Sequence, residues 1–477
     1  MFNNIKSNLI LKKVFNHLKK KTKYSLLKRN KYLLNKLNIQ SKDFEEYKSL
    51  KVFNEKYNLR IVDTDVENLN LAHLSTDFDN EGLKYLSELE FNKLKFLNLS
   101  ENKITDLEPL LNMKLENLEI LILSYLNRVG TSNYKKLKEE KYKVNYIDIF
   151  KKIKFKNLKK LDLSRNENID IDSLLNLNFN ELIELNLRGD HINYIQVLKN
   201  VNFPKLENLF LGLNRIYDIE ELENLDLKNL IILDLDNCKF SDISVLEKVK
   251  FEKLKILDLS WNKISDISPL GKVKFIFLEK LNLGHNNISN IEILEKVNFK
   301  NLIDLDLTYN KIEDIKILEK VDFEKLQLLK LDNNKISDIT VLEKVNFDEL
   351  RTLDLIHNSI SDINPLGKAK FKKLNTLSLY TNKISDISVL EKVDFELLQF
   401  LYLNFNEITD IQVLDKIKLK KLLFLELKGN KISNIDVLEN IKLDKLQKLD
   451  LSCNKIDKTL NKELIDKIKK KIKNFKI

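Results

Sequence analysis

The chain has few of the residues that break regular structure. Its 477 residues include 8 glycines, 4 prolines, 2 cysteines and 1 tryptophan. Average usage would supply roughly 57 glycines and prolines in a chain of this length. Chains built from several ordinary domains use these residues in turns and linkers. Their scarcity therefore favours one architecture that is repeated many times.

Other absences exclude whole classes of protein. Two cysteines, Cys238 and Cys453, cannot hold a disulfide-stabilised secreted scaffold. The longest apolar run near the N-terminus, residues 9–11, is too short for the core of a signal peptide. Charged residues make up 32% of the chain and leave no apolar run of membrane-spanning length. We therefore expect a soluble cytoplasmic protein, and a monomer.

Residue patterns that bind cofactors or perform catalysis are also missing. The glycines form neither G-x-G-x-x-G nor G-x-x-x-x-G-K-[ST], the loops that cradle phosphates. The five histidines show no paired metal-ligand spacing. Carboxylates recur at fixed positions of a repeat, which indicates structural regularity rather than an acid–base pair. We expect no metal, no cofactor and no enzymatic activity.

One pattern recurs every 24 residues through most of the chain. It reads F-x-x-L-x-x-L-x-L-x-x-N-x-I-x-D-I-x-x-L-x-x-V-x, as in the unit that begins at Phe251. Thirteen consecutive units, from Phe155 to the unit that begins at Leu443, keep this spacing without a slip. Units at Phe91 and Leu115 precede them, the second lengthened by 16 residues near 127–142. A degenerate unit around residues 66–71 brings the total to about sixteen.

Each position of the unit has a physical reason. The leucines of L-x-L point inward from a short strand, because alternate strand residues face opposite sides. The asparagine that follows, such as Asn262, offers donors and an acceptor to the backbone where the chain turns, and stacked copies would form a ladder. Aspartate four residues later, such as Asp266, suits an Asx turn or a helix N-cap. Three of the prolines share one position just beyond it, which predicts a short helical turn. The leading phenylalanines are expected to stack into an aromatic spine in the core.

This pattern resembles the leucine-rich repeat, in the form shared by the regulatory leucine-rich subunit of protein phosphatase 1 and bacterial internalins. The resemblance covers roughly residues 63–460. It implies an α/β solenoid with a curved parallel β-sheet on its concave face, short helical turns outside, and helical caps at 1–62 and 461–477. In the second cap Leu464, Ile468 and Ile472 lie at helical spacing.

The resemblance also implies a function. Proteins of this kind act as interaction scaffolds, so we expect a non-enzymatic scaffold that binds a protein partner on the concave face. The phosphatase branch implies a phosphatase regulatory subunit as an alternative. The internalin branch implies a surface protein, against which the missing signal peptide counts.

Residues 1–41 contain eleven Lys or Arg and no acidic residue. Apolar residues at helical spacing make this segment resemble a degenerate F-box, although the proline typical of that family is absent. The resemblance implies a ubiquitin-ligase substrate receptor that grips its adaptor through Leu9, Leu11, Val14, Phe15 and Leu18. The alternatives are a basic helical cap, a membrane-surface helix or a transit peptide.

Two groups of aromatic residues occupy positions that are predicted to face the concave side. Trp261, His285 and Tyr309 precede the asparagine column in three successive units, which predicts a row spaced about 4.8 Å apart. His357 and Phe405 occupy the same position in later units, and the second group gathers aromatic residues from three adjacent units: Tyr380, Phe400, Tyr402, Phe405 and Phe424. We predict that the partner contacts all of these residues, Trp261, His285, Tyr309, His357, Tyr380, Phe400, Tyr402, Phe405 and Phe424. The insertion at 127–142 is either a further contact site or a tolerated loop.

The charge distribution limits what the partner is. The formal net charge is +10, but the basic excess lies at the two ends, in residues 1–41 and 461–477. The repeats between them are net acidic, and the position inside L-x-L is mostly Asp or Asn. This acidic stripe favours a basic or mixed-charge partner and argues against nucleic acid on the repeat face. The alternative is that the stripe only maintains solubility.

Overall fold

A computed structural model describes residues 42–61, 63–74, 78–126, 147–153, 155–166, 174, 180–441 and 443–477. The five F-box-like residues and the insertion at 127–142 lie outside this part of the chain. The chain divides into two compact units. The first ends at Leu206, except that Asn193–Gln196 belong to the second, which continues from Glu207 to Ile477.

The first unit contains short parallel strands that pair in chain order, with the central leucines Leu69, Leu97 and Leu121 directly opposite one another. Helix α2 begins after Asp79, whose side chain accepts hydrogen bonds from the backbone N–H groups of Glu81 and Gly82. The described strands are β1 (Asn68–Asn70), β2 (Phe96–Asn98), β3 (Ile120–Ile122), β4 (Lys160–Asp162) and β5 (Glu184–Asn186). The helices are α1 (Lys42–Lys56), α2 (Asn80–Ser87) and α3 (Ile147–Lys152).

The second unit is a longer array of the same kind. Its strands also pair in parallel and in chain order, and each partner lies 24 residues further along until the last pair. The strands are β6 (Asn208–Phe210), β7 (Ile232–Asp234), β8 (Ile256–Asp258), β9 (Lys280–Asn282), β10 (Asp304–Asp306), β11 (Leu328–Lys330), β12 (Thr352–Asp354), β13 (Thr376–Ser378), β14 (Phe400–Tyr402), β15 (Phe424–Glu426), β16 (Lys448–Asp450) and β17 (Asn474–Lys476). The predicted parallel leucine-rich architecture is confirmed.

A short 3-10 turn lies on the other side of each regular repeat, as the proline position predicted. Asp266 accepts a hydrogen bond from the backbone N–H of Ser268 (2.8 Å), which is an Asx turn. The residue that caps the 3-10 turn is Ile267, so the aspartate is not the N-cap. The described turns are Glu108–Asn112, Gln196–Asn200, Glu220–Asn224, Ser244–Glu247, Ser268–Gly271, Glu292–Glu295, Lys316–Glu319, Thr340–Glu343, Asn364–Gly367, Ser388–Glu391, Gln412–Asp415 and Asp436–Glu439.

The core contains the strand leucines and the leading phenylalanines. Leu257 and Leu259 are fully buried, and Phe251 is almost so. The expected aromatic spine is only partly present. Among the rings of that column from Phe251 to Phe395, ring contact occurs between Phe371 and Phe395, whose centroids are 5.9 Å apart. The rings are therefore buried at each repeat without forming a continuous stack.

The predicted asparagine ladder connects neighbouring repeats. The side-chain amide of Asn310 donates to the carbonyl oxygens of Leu283 (2.9 Å) and Leu307 (3.1 Å). Its Oδ1 accepts from the backbone N–H of Ile288 (2.9 Å) in the preceding repeat. Where Cys238 replaces the asparagine, its Sγ donates to the Leu211 carbonyl at 3.2 Å. The same amide pattern recurs at Asn262, Asn286, Asn334, Asn358, Asn382, Asn406, Asn430 and Asn454.

The C-terminal segment differs from the single capping helix that was predicted. Helix α4 (Lys462–Lys471) is followed by β17, which pairs in parallel with β16 and extends the sheet. The buried face of this segment is formed by Ile465, Ile468 and Ile472 rather than by Leu464. The spacings of three and four residues between these isoleucines place them on one side.

The ladder makes a stability prediction. Asn310→Ala removes the amide and leaves buried carbonyl and N–H groups without partners, so we expect the free energy of unfolding to fall by about 3 kcal/mol or more. Thermal and denaturant melts followed by circular dichroism measure the change. The control is Asn301→Ala, since Asn301 makes only solvent-exposed bonds, to the Ile276 carbonyl and from the Lys325 ammonium, and it should change stability by about 1 kcal/mol or less. Equal effects of the two substitutions would show that the ladder is not a main source of stability.

Candidate protein-binding surface

The strands of the second unit bury their central leucines on one side of the sheet and carry mostly half-buried residues on the other. In β8, Ile256 and Asp258 flank the buried Leu257 and are themselves half-buried. The same alternation recurs along the array, although the residue after the central leucine is buried in β7, β13, β15 and β16. We call the side that carries these flanking residues the open face.

A fixed backbone turn follows each strand. The residue before the asparagine of the ladder adopts a left-handed conformation, with φ of 57° at Trp261, 54° at His285 and 51° at Tyr309. This conformation costs residues other than glycine about 1–2 kcal/mol. Glycine occupies the position at Gly189 and Gly429. Large rings therefore sit at positions where the backbone favours glycine, and backbone stability does not account for them.

Trp261, His285 and Tyr309 form a stack, which we call the aromatic row. The ring centroids of Trp261 and His285 are 3.6 Å apart with planes at 11°. Those of His285 and Tyr309 are 4.1 Å apart at 12°. The predicted row is present, with its rings closer than the spacing of the strands. Trp261 is 54% exposed and Tyr309 is 49% exposed, so the row presents aromatic surface to solvent.

The aromatic row adjoins carboxylates of the open face. Burial lowers the pKa of the His285 imidazole, while the charges of Asp306 and Asp332 act in the opposite direction. The lowered pKa disfavours a positive charge on the imidazole. The row is therefore an aromatic surface beside an acidic one.

The predicted second aromatic group divides into two parts. In the first, Phe405 meets Tyr380 edge-on with a centroid distance of 5.3 Å, and His357, from the column of the first group, meets the same ring at 5.5 Å. The Lys428 ammonium lies 5.7 Å from the centroid of the Phe405 ring. A Cβ atom at Gly429 would come within 2.6 Å of that ring. Glycine at this position thus lets Phe405 lie across the neighbouring turn.

The second part is a contact between Phe400 and Phe424 on adjacent strands, which we call the phenylalanine pair. The centroids are 5.1 Å apart and the planes meet at 82°. The Lys448 ammonium lies 5.9 Å from the centroid of the Phe424 ring. Tyr402 lies on the same face as Phe400, where burial and the charge of Glu426 raise the pKa of its hydroxyl. The ring contact joins Phe400 and Phe424 and does not include Tyr402.

Four aspartates surround Lys330 near the middle of the open face. The Lys330 ammonium is 2.8 Å from Asp306. Burial raises the pKa of Asp354 to about 6, and it raises the pKa values of Asp304 and Asp332 as well. We call Asp304, Asp306, Asp332 and Asp354 the carboxylate cluster. Carboxylates outnumber the lysine that is paired with them, so the local charge is negative.

The acidic stripe also has a structural role that its sequence did not reveal. Oδ1 of Asp258 accepts from the backbone N–H of Ser260 (2.9 Å). Asp306 and Asp354 accept in the same way from Thr308 (3.1 Å) and Ile356 (3.2 Å). Each such bond uses one carboxylate oxygen to hold the end of a strand. An amide oxygen can make the same bond, which explains why Asn alternates with Asp in this column.

The described residues contain no group of three or more His, Cys, Asp or Glu side chains placed to hold a metal ion. No helix of the described part is long and apolar enough to cross a membrane. The free cysteines Cys238 and Cys453 form no disulfide, and Cys238 is buried.

Comparisons with known proteins agree with this geometry. The family model described as Leucine Rich repeats (2 copies) matches residues 276–320 and 348–392, and the Leucine Rich repeat model matches 92–107, 252–267 and 443–459. The internalin InlF from Listeria monocytogenes, whose structure is solved, is 31% identical in sequence to this chain. The alignment covers 68% of this chain and 88% of the internalin chain, with a TM-score of 0.53. This protein belongs to the leucine-rich-repeat family.

Two further solved structures resemble this leucine-rich-repeat protein in fold. A leucine-rich-repeat protein of Leptospira interrogans is 23% identical, covers 90% of this chain and 98% of its own, and has a TM-score of 0.64. The receptor TLR13, solved in complex with ssRNA13, is 20% identical, covers 90% of this chain and 59% of its own, and has a TM-score of 0.51. No curated protein matches the chain significantly by sequence. Leucine-rich-repeat proteins typically mediate interactions between proteins.

The carboxylate cluster makes a pH prediction. The folded-state pKa of Asp354, about 6, lies above its unfolded value of about 3.9. The protonated carboxyl therefore contributes stability that is lost as pH rises from about 4 to about 6. Asp354→Asn, whose Oδ1 still accepts from Ile356, should raise the free energy of unfolding at pH 7.5 by up to about 3 kcal/mol and change it little at pH 4.

Denaturant melts between pH 4 and pH 7.5 measure this difference. The control is Asp338→Asn on the outer turn, where a hydrogen bond from Thr340 lowers the pKa of the carboxyl and no gain at pH 7.5 is expected. A gain from Asp354→Asn that does not depend on pH would contradict the assignment.

Proposed function

We propose that this leucine-rich-repeat protein is a non-enzymatic scaffold that binds a protein partner on the open face of its second unit. The aromatic row is the main contact. The observation that carries the proposal is the ordered, half-exposed stack of Trp261, His285 and Tyr309 at positions where glycine would relieve the backbone. Aromatic side chains of this kind supply most of the energy at protein interfaces.

The packing of the three rings against one another in the aromatic row supports this function. Binding normally has to immobilise the side chains that become buried, at about 0.5–1.5 kcal/mol for each flexible one. In the aromatic row each ring already packs against its neighbour, so little of this entropy is left to lose. Further aromatic side chains that a partner could contact are Tyr380, Phe405 and the phenylalanine pair, with Lys428 and Lys448 beside them.

The charge of the open face favours protein over nucleic acid. The RNA complex named above is a property of TLR13, and the fold alone does not select the ligand. Here the carboxylate cluster and the acidic stripe would repel phosphate groups. A partner with cationic side chains fits the same charges.

Several finer predictions are not required by this proposal. The ubiquitin-ligase alternative depends on Leu9, Leu11, Val14, Phe15 and Leu18, outside the described residues, and stays a prediction. A role as phosphatase regulatory subunit rests on the type of repeat alone. Cytoplasmic location and the monomeric state likewise stay predictions.

The aromatic row makes a binding prediction. Trp261→Ala combined with Tyr309→Ala removes both exposed rings, and loss of an interface anchor costs about 2 kcal/mol or more, which is roughly a 30-fold loss of affinity. Tagged full-length protein is used to recover partners, which are quantified by mass spectrometry. We expect one set of proteins to be lost from the double variant.

The matched control is Tyr217→Ala, since Tyr217 is 63% exposed but lies outside the row. Circular dichroism melts establish that all variants are folded. If the folded double variant recovers the same proteins in the same amounts as the control, the aromatic row is not the binding surface.

A further inference from the structure

The open face carries two areas of different chemistry in a fixed order. The carboxylate cluster spans β10 to β12, and the phenylalanine pair lies on β14 and β15. One area is acidic and the other is aromatic. Both belong to the same array of paired strands, so their separation is set by the backbone.

The four carboxylates of the cluster outnumber the two lysines beside them, Lys330 and Lys280. Lys330 forms its ion pair with Asp306. Oδ1 of Asp304 is buried and has no hydrogen-bond partner among the described residues, although the charges of Lys330 and of Lys280, its register partner on β9, lower the pKa of that carboxyl. Asp354 is held by the backbone N–H of Ile356. A further cation placed here would be attracted by every carboxylate of the group.

The phenylalanine pair offers a different contact. Phe400 and Phe424 are each half-buried and meet edge to face. Around them, Lys448 pairs with Glu426, so these charges are already matched. The area therefore favours a large apolar side chain rather than a second ion.

The distance between the two areas sets a spacing on the partner. Lys330 on β11 is three strands from Phe400 and four from Phe424, which at about 4.8 Å per strand is roughly 14–19 Å. An extended chain rises about 3.3 Å per residue. It covers this distance in about five residues.

We propose that the partner binds as an extended segment, with an arginine or lysine over the carboxylate cluster and a large apolar side chain about five residues away against the phenylalanine pair. This inference rests on the proposed function of the open face. It adds the chemical class of the partner and the spacing of its two contact residues.

The test uses the immobilised full-length chain to select binders from displayed random twelve-residue peptides. We expect the enriched peptides to carry Arg or Lys about five residues from Phe, Leu, Ile or Trp. Their affinities are then measured by fluorescence anisotropy with the synthetic peptides. Asp306→Asn together with Asp354→Asn should weaken binding roughly tenfold or more, because the charges are lost while the Oδ1 acceptors remain.

The matched control removes the same charge from the outer turns of the unit. Asp314→Asn together with Asp338→Asn also keeps the Oδ1 atoms that accept from Lys316 and Thr340, and it should change affinity by less than about twofold. Phe424→Ala should weaken binding of the selected peptide. It should not weaken binding of a version of that peptide in which the apolar residue is already alanine. This double-variant cycle isolates the apolar contact.

Three results would overturn the inference. The first is enrichment of acidic or neutral peptides. The second is binding that the carboxylate substitutions leave unchanged. The third is no enrichment above beads without protein. If binding of the selected peptides still requires Trp261 and Tyr309, only the inference fails. If neither the selected peptides nor the recovered partners require these two residues for binding, the proposed function fails as well.

Discussion

The amides of the asparagine ladder hold the end of each strand against the preceding repeat. One amide bonds two or three carbonyls and accepts from one N–H group, as Asn310 does. Buried backbone groups need such partners, since leaving them unpaired costs about 1–3 kcal/mol each. The turn that brings the amide inward forces a left-handed conformation on the residue before it. The ladder therefore decides where Trp261, His285 and Tyr309 project.

Stability and recognition use different positions of the same repeat. Leucine, phenylalanine and asparagine positions are filled almost identically from repeat to repeat, because each is buried or bonded to the backbone. The left-handed position carries no such constraint, and at the strand flanks the backbone bond requires only the oxygen acceptor that Asp and Asn share. There the chain carries rings that stack and carboxylates whose burial raises the pKa, as at Asp354. The rings and the negative charges add little to the stability of the fold. These positions are therefore available for a binding surface on a rigid array.

Much of the fold followed from the sequence because the repeat constrains it strongly. The 24-residue spacing predicted the strands, the ladder at Asn262 and its successors, and the outer turns. The row at Trp261 was also predictable, since parallel strands in register bring equivalent residues side by side. The C-terminal strand β17 was missed, because Asn474–Lys476 lie beyond the last full unit and carry no repeat signal.

The directions of side chains were harder to predict from the sequence than their positions in the repeat. The second aromatic group divided because Tyr380 projects beside the turn residues His357 and Phe405, whereas Phe400 and Phe424 flank the strand leucines. Spacing in the sequence does not distinguish these directions without a backbone. The positive φ at Trp261 was missed for a similar reason, since nothing in a tryptophan indicates a conformation that usually signals glycine. The strand-end bonds of Asp306 and Asp354 became visible only with coordinates.

Hydroxyl-radical footprinting of the full chain, free and bound to a recovered partner, tests most directly whether the open face is the binding surface. Trp261, Tyr309 and Phe405 are exposed and oxidisable, and Tyr217 and Phe277 are exposed outside the aromatic row. We predict that the partner protects Trp261, Tyr309 and Phe405 from oxidation while Tyr217 and Phe277 react as in the free chain. Protection of Tyr217 or Phe277, with Trp261 and Tyr309 unchanged, would contradict the account.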